Sequence, residues 1–459
     1  MIRVDRSQLP EVGPDPTFTF PAIVRHVLPS GLRVWTVEHH SVPVISFALH
    51  VDGGSGADPS GLEGLAALVA DMTDEGTGAL TAIEMSDALA RIGADFDLDV
   101  GGDATLFSLT TLTRFASRGA SLLADMVTRP SLRESDFTRV RQLRLDRLRQ
   151  LKDLPSALAE RWFLRLLYGG HPYGHLAIGS DSSLKDVSLD HVAEFHRVSF
   201  QPARATLVVC GAMKHDELLR HAEDAFGAWT KTGDGASVTL VAADLEPSTE
   251  GLTRLAVVPR ESASQSELRI GRLTTRRTTS DYPSLLVMNA VLGGQFVSRI
   301  NLKLREEKGY TYGARTGFDW RRGISPFAVQ TSVHTAATAD AIAISLAELE
   351  GIRGSRPPSD TEMALAKASL TRGYPRGFET AQQVARSVAQ IALYGLPDTY
   401  FAEFVPKVNA VSRADVVDAA ARYLQPSHVT TLIVGDRSAI AVSLRNLDLG
   451  EPQVFPAEL

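Results

Sequence analysis

Few residues in this chain advertise chemistry on their own. His39 and His40 adjoin in a strand-like run, and His171 and His175 bracket the stretch HPYGH. A metal could be held weakly by His39, His40 and Asp71, but paired histidines in a strand are ordinarily structural. His171 and His175 lie where a turn and a helix entry are expected, so neither is assigned as a base. Arg305 and Tyr312 stand seven residues apart around Gly309. Spacing alone reads them as a surface ion pair of Arg305 with Glu306 or Glu307 and a half-buried tyrosine. The sequence has no Walker loop, GxSxG, HExxH or GxGxxG. LGGQF at 292–296 is glycine-rich, but it falls between two predicted helices with no strand before it, so no phosphate cradle is expected. Cys210 is the single cysteine, which excludes an internal disulfide and a cysteine-based metal site, and the apolar run ATLVVCGAM makes it a core residue.

The elements that position these residues follow from periodicity. LRVWTVEHHSVPVISFALHV reads as two strands broken near Ser41–Pro43, with ISFALHV alternating in a half-buried manner. DPSGLEGLAALVADMTDEG reads as a helix opened by a Ser60–Glu63 capping box and stopped by Gly76, and TAIEMSDALARIG as a helix capped by Thr81. A strand pair, a helix, the long charged helix SDFTRVRQLRLDRLRQLKD and a Pro155-started helix follow. After a Gly/Ser/Thr/Asp-rich stretch the order repeats: shifted by about 216 residues, LARIGADFDLDV falls on LREEKGYTYGAR. The expectation is an α+β protein of two similar domains, each a mostly antiparallel sheet with helices on one face. The boundaries are an arm at 1–20, domains at 21–230 and 254–445, a linker at 231–253 and a tail at 446–459.

With 459 residues, 44% hydrophobic and 22% charged, the chain has ordinary globular composition and is neither disordered nor fibrous. A net charge of −7 forces no basic face, so nucleic acid is not expected as a partner. No signal peptide or membrane-spanning run is seen, which makes the cytoplasm the expected compartment.

Several motifs resemble the M16 family of zinc peptidases, the inverzincins, whose metal motif H-x-x-E-H lies in a helix within Gly-x-Ala-His-x-x-Glu-His-Met and is followed by Gly-Thr. GLAALVADMTDEGT at 64–77 keeps the frame through Gly64, Ala66, Met72, Gly76 and Thr77. The resemblance places Ala67 at the first His, Ala70 at the catalytic Glu and Asp71 at the second His. The third ligand, a Glu farther along in a long helix, falls at Arg147, within one residue of Asp146 and Leu148. HPYG at 171–174 and Gly179 match a further family stretch. LGGQFVSRINLKLREEKGYTYGA at 292–314 resembles LGGGFSSRLFQELREKRGLAYS, in which an Arg and a Tyr bind the substrate backbone and the reacting carbonyl; by position these are Arg305 and Tyr312.

The resemblance implies a chain with no zinc and no hydrolytic activity of its own, because Ala67, Ala70 and Arg147 leave neither a ligand set nor a base. It also implies the substrate-binding subunit of a heterodimer that closes around a peptide, with zinc in a partner carrying H-x-x-E-H. The alternatives are a scaffold or assembly protein like the core proteins of the bc1 complex, and a homodimeric peptide-binding pseudo-peptidase.

Overall fold

A computed structural model describes residues 19–78, 80–231, 242–247 and 253–457. Most of the expected arm and linker lies outside the described residues. From the N-terminus, β1 (Ile23–Val27), β2 (Arg33–Glu38) and β3 (Val44–Asp52) lead into α1 (Leu65–Met72) and α2 (Ala82–Arg91). The hairpin β4 (Asp95–Val100) and β5 (Ala104–Leu112) precedes α3 (Ala116–Thr128), α4 (Glu134–Lys152), α5 (Pro155–Tyr168), α6 (Asp181–Asp186) and α7 (Leu189–Ser199). β6 (Ala205–Gly211) and α8 (His215–Phe226) close this half.

The second half follows the same plan. β7 (Leu255–Pro259) and β8 (Gln265–Thr275) lead to α9 (Tyr282–Leu292) and α10 (Arg299–Asn301), which runs into a π-helical turn over Leu302–Glu307. The hairpin β9 (Ala314–Phe318) and β10 (Ser325–His334) comes next, then α11 (Thr338–Gly351), α12 (Asp360–Thr371), α13 (Ala381–Tyr394), α14 (Tyr400–Ala410) and α15 (Arg413–Tyr423). β11 (Thr430–Gly435), α16 (Arg437–Leu444) and β12 (Gln453–Val454) end the chain.

Both sheets have six strands, ordered β1-β2-β6-β3-β5-β4 and β12-β7-β11-β8-β10-β9. Position for position the central five strands correspond, with a parallel pair at β2–β6 and at β7–β11 and antiparallel pairing from there outward. The repeat read from sequence is therefore a repeat in space. β12 pairs with β7, so the stretch taken as a C-terminal tail contributes an edge strand.

Helices do not lie on one face only. Each half packs most of its own helices on one side of its sheet, in cores built around Phe47, Leu49 and Phe107 in the first half and Leu268, Ile270 and Val329 in the second. The opposite side is covered by a helix of the other half. α13 lies on β3 and β6, burying Val384, Val388 and Ile391 against Trp35, Val208 and Cys210. α5 lies on β11 and β8, burying Leu158, Phe163 and Leu167 against Val258, Leu432 and Val434. Each large apolar side chain so covered contributes roughly 1.5–3 kcal/mol. The ISFALHV alternation is thus not a solvent boundary: Ser46, Ala48 and His50 are as buried as Phe47 and Leu49.

No helix among the described residues is long and apolar enough to cross a membrane.

Candidate functional site

α1 begins at Leu65, one turn later than the Ser60–Glu63 capping box predicts. The Glu63 carboxylate accepts from the nearby Gly61 N–H instead. The helix is capped from a distance by Asp58, whose fully buried carboxylate accepts from Gly64 N–H at 2.7 Å and Ala66 N–H at 2.6 Å. His175 Nε2 lies 3.0 Å from the same carboxylate, which gives this histidine a structural role. Gly64 and Gly179 both have positive φ, at 98° and 79°, and their backbones touch: a Cβ on Gly64 would come within 2.8 Å of Gly179 Cα. Two glycines from separate motifs thus lock the start of α1 against the segment after HPYG.

Along α1, Ala67 and Ala70 are buried and offer no donor atom. Asp71 forms an ion pair with Arg144 of α4, and Arg144 Nη2 also donates to the Ala177 carbonyl at 3.0 Å. The arginine that meets Asp71 is thus Arg144 and not Arg147. Arg147 lines the same hollow but sits one turn beyond the pairing position, its guanidinium donating to Gln150 Oε1 at 3.2 Å. Of its neighbours, Asp146 faces outward to Gln142 and Arg149, and Leu148 is buried in the core.

The hollow has a volume of about 520 Å³ and also receives Asp74, Glu75 and Asp97. Glu75 and Asp97 are paired with Arg139 and Arg386. Burial, followed by the neighbouring Glu75 and Asp71 charges, raises the Asp74 carboxyl to about 6. A catalytic zinc needs three protein ligands and an open position. Of the four positions the motif assigns to metal and base, Asp71 alone carries a carboxylate, and a guanidinium occupies it. Among the described residues no group of three His, Cys, Asp or Glu has metal-holding geometry. The residues present do not fit zinc.

The second cluster lies where α10 passes through the π-helical turn, Gly309 takes a left-handed conformation at φ 66°, and the chain turns into β9. Tyr312 stands on the turn two residues before β9 and is 92% exposed, not half-buried as its spacing suggests. Its flanks are pinned. Thr311 Oγ1 accepts from Gly313 N–H at 3.0 Å, and Thr331 Oγ1 donates to the Gly313 carbonyl at 3.1 Å. Arg305 lies 4.5 Å over the Phe296 ring and its Nε is 3.4 Å from Glu306, so the local ion pair exists without enclosing the guanidinium, whose side chain stays 38% exposed. Phe296 and Val297 beside it are also exposed. A phenol on a braced turn and a forked donor on an aromatic platform can offer hydrogen bonds to a peptide carbonyl. Sequence reasoning named both residues but missed Asn301, whose buried amide ties the segments that carry them; an asparagine inside a helical pattern gives no such signal.

The other chemical residues resolve as structure. His40 pairs with Glu38 at 2.9 Å, and the Glu38 carboxyl is held at about 2 chiefly by His40 and Lys214. His171 Nε2 lies 3.3 Å from the Leu245 carbonyl. In LGGQF, Gly293 packs on Thr316 and Gly294 on Asn289, closer than any Cβ allows. Cys210 is fully buried under α13, and burial pushes its thiol up to about 12.

Comparison with known proteins agrees with this geometry. Residues 33–179 match the family model described as insulinase (peptidase family M16), and residues 186–370 the model described as peptidase M16 inactive domain. An uncharacterized zinc protease of Mycobacterium leprae is 24% identical over 357 residues, 78% of this chain and 79% of that protein. One of Streptomyces coelicolor is 20% identical over 85% of each chain. A peptidase M16 inactive domain from Pseudomonas fluorescens superposes with a TM-score of 0.83 at 22% identity, over 90% of this chain and 98% of that one. A protease from Helicobacter pylori gives 0.83 at 19% identity, over 91% and 100%. With both halves matched in chain order and the doubled fold in place, the chain belongs to the M16 peptidase family.

Proposed function

We propose that this chain is the non-catalytic, substrate-binding subunit of a heterodimeric M16 zinc peptidase. The carrying observation is the contrast between its halves. The first holds Asp71 under Arg144 at the motif's metal positions, and the second presents Tyr312, exposed on a pinned turn, and Arg305, part-exposed on the Phe296 ring. The relatives named zinc proteases support peptide hydrolysis as the assembled activity. The chain itself carries no cofactor. Zinc in the partner supplies Lewis-acid activation and the attacking water. This chain binds the peptide, Arg305 donating to a backbone carbonyl and Tyr312 donating its phenolic proton to the oxyanion that forms as the carbonyl is attacked.

The test is steady-state kinetics on this chain mixed with an M16 chain of the same organism that carries an intact H-x-x-E-H. Loss of one oxyanion donor costs about 2.7–4 kcal/mol, or roughly 100- to 1000-fold in turnover. Tyr312→Phe lowers kcat by that order with assembly intact, and Arg305→Ala acts chiefly on KM. Wild-type rates for both variants, in a complex that assembles on a column, would favour a scaffold.

A further inference from the structure

We infer that Asn301 is the positioning residue of the Arg305–Tyr312 pair, an inference that rests on the subunit reading above. Asn301 is the last residue of α10 and is 4% exposed. Its Nδ2 donates to the Phe296 carbonyl at 2.7 Å, and its Oδ1 accepts from the Ala314 N–H at 3.0 Å. One planar amide therefore ties the two segments that matter. Phe296 is the ring on which Arg305 stacks, and Ala314 is the first residue of β9, two beyond Tyr312.

Other contacts brace the same segments. Thr311 and Thr331 hold the Tyr312 turn against β10, and Asn289 and Thr316 hold the glycines before Phe296. Thr316 of β9 also joins the two sets, its N–H donating to the Gly293 carbonyl at 3.1 Å, but Asn301 does so at Phe296 itself, across the start of the π-helical turn that carries Arg305. Such wide turns cluster at functional positions, and they need outside support because their backbone hydrogen bonding is irregular. A buried amide with both ends satisfied fixes orientation better than a lone hydroxyl, since its donor and acceptor cannot rotate independently. Asn301 makes no contact with substrate in this reading. It acts by holding the phenol and the guanidinium at one spacing, so that a peptide carbonyl meets both.

The amide has two ends, and they are separable. Asn301→Asp keeps the acceptor toward Ala314 and sets a carboxylate oxygen against the Phe296 carbonyl, repelling that segment; Asn301→Ala loses both. In the reconstituted complex, Asn301→Ala is expected to lower kcat about tenfold and raise KM, the order of loss from small misplacement of catalytic groups. Asn301→Asp is expected to leave kcat within about twofold and to raise KM, because only the platform under Arg305 is displaced. The decisive measurement is a double-mutant cycle. Acting through the phenol, Asn301→Ala should cost less than about twofold in kcat in a Tyr312→Phe background. Equal kcat losses in both backgrounds, or none in either, overturn the inference. Should Asn301→Ala fail to fold, the Asn301→Asp variant decides: a kcat loss as large as its KM change refutes the assignment. If Tyr312→Phe alone is silent, the subunit reading fails and this inference with it, whereas an active Tyr312 with an uncoupled Asn301 sinks the inference only.

Discussion

Arg144 is the residue that pairs with Asp71. The motif frame puts Arg147 at this hollow, whereas the arginine one turn earlier makes the pair, and the reason is geometric. Arg144 and Arg147 lie three apart on α4 and so share a face. Which one reaches Asp71 depends on how α1 crosses α4 and on the Ala177 carbonyl that holds the other guanidinium nitrogen, neither visible in local pattern. A consequence follows for engineering the site. Ala67→His, Ala70→Glu and Asp71→His together should not bind stoichiometric zinc while Arg144 remains, since a fixed cation lies at the metal position; adding Arg144→Ala should permit weak binding. Elemental analysis after dialysis checks this, and one tightly held zinc in the triple variant refutes it. Two other buried residues make opposing contributions to the pH response. Burial lowers His50 to about 4, with Arg322 and Arg33 adding to the effect against Asp52, while Asp74 is raised to about 6. Between about pH 4 and 6.5 the unfolded chain holds a proton on His50 that the folded chain lacks, so acidification removes stability. Between about pH 4 and 6 the folded chain holds a proton on Asp74 that the unfolded chain has released, so acidification adds it. Shifts of this size are each worth about 3 kcal/mol, so they offset. Asp74→Asn should expose a steep loss of urea stability from pH 6.5 to 4, and His50→Gln the opposite slope. Parallel profiles for both variants would show that neither group titrates as its burial dictates.

Up to about residue 353 most helices and strands were legible, down to the Thr81 cap of α2, whereas α12–α16, β11 and β12 went unread. What local pattern concealed was the partner of each face. On β3 the side turned away from its own half carries Ser46, Ala48 and His50, short or polar residues that read as solvent-facing. They are small because α13 packs against them, not because water does. The same exchange makes α5 a structural member of the second sheet although it is encoded in the first half. Phe163, 5% exposed, is therefore expected to matter beyond its own domain. Phe163→Ala should cost about 3–5 kcal/mol, as large-to-small core changes do. Native-state hydrogen exchange should show amides of β3 and of β8 losing protection together. Loss confined to β8 and β11 would mean that the exchanged helices do not couple the halves.

For the whole molecule, reciprocal exchange decides where a chamber can open. A hinge between the halves of this chain would have to strip α13 from β3 and β6 and α5 from β8 and β11 at once. It would also break Arg322–Asp52, Arg386–Asp97 and the Tyr168 hydroxyl bond to the Ile324 carbonyl at 2.6 Å. The halves thus behave as one body, so under the proposed function a peptide would have to enter between this chain and its partner rather than through this chain's middle. The residue order has a further result: each half alone lacks the helix that covers its sheet and leaves its own exported helix without a bed. Residues 19–231 expressed alone expose the Trp35, Val208 and Cys210 face and the apolar side of α5; residues 253–457 alone expose the converse surfaces. Exposed faces of this kind bind hydrophobic dyes and drive aggregation. Each fragment alone should therefore be aggregated or bind such dyes strongly. Co-expression should restore a one-to-one complex with the circular dichroism of the intact chain, and a cut in the linker between 231 and 253 should leave that complex whole. A soluble, cooperatively unfolding fragment 19–231 would show that α13 is dispensable for the first sheet and would reopen a hinge between the halves.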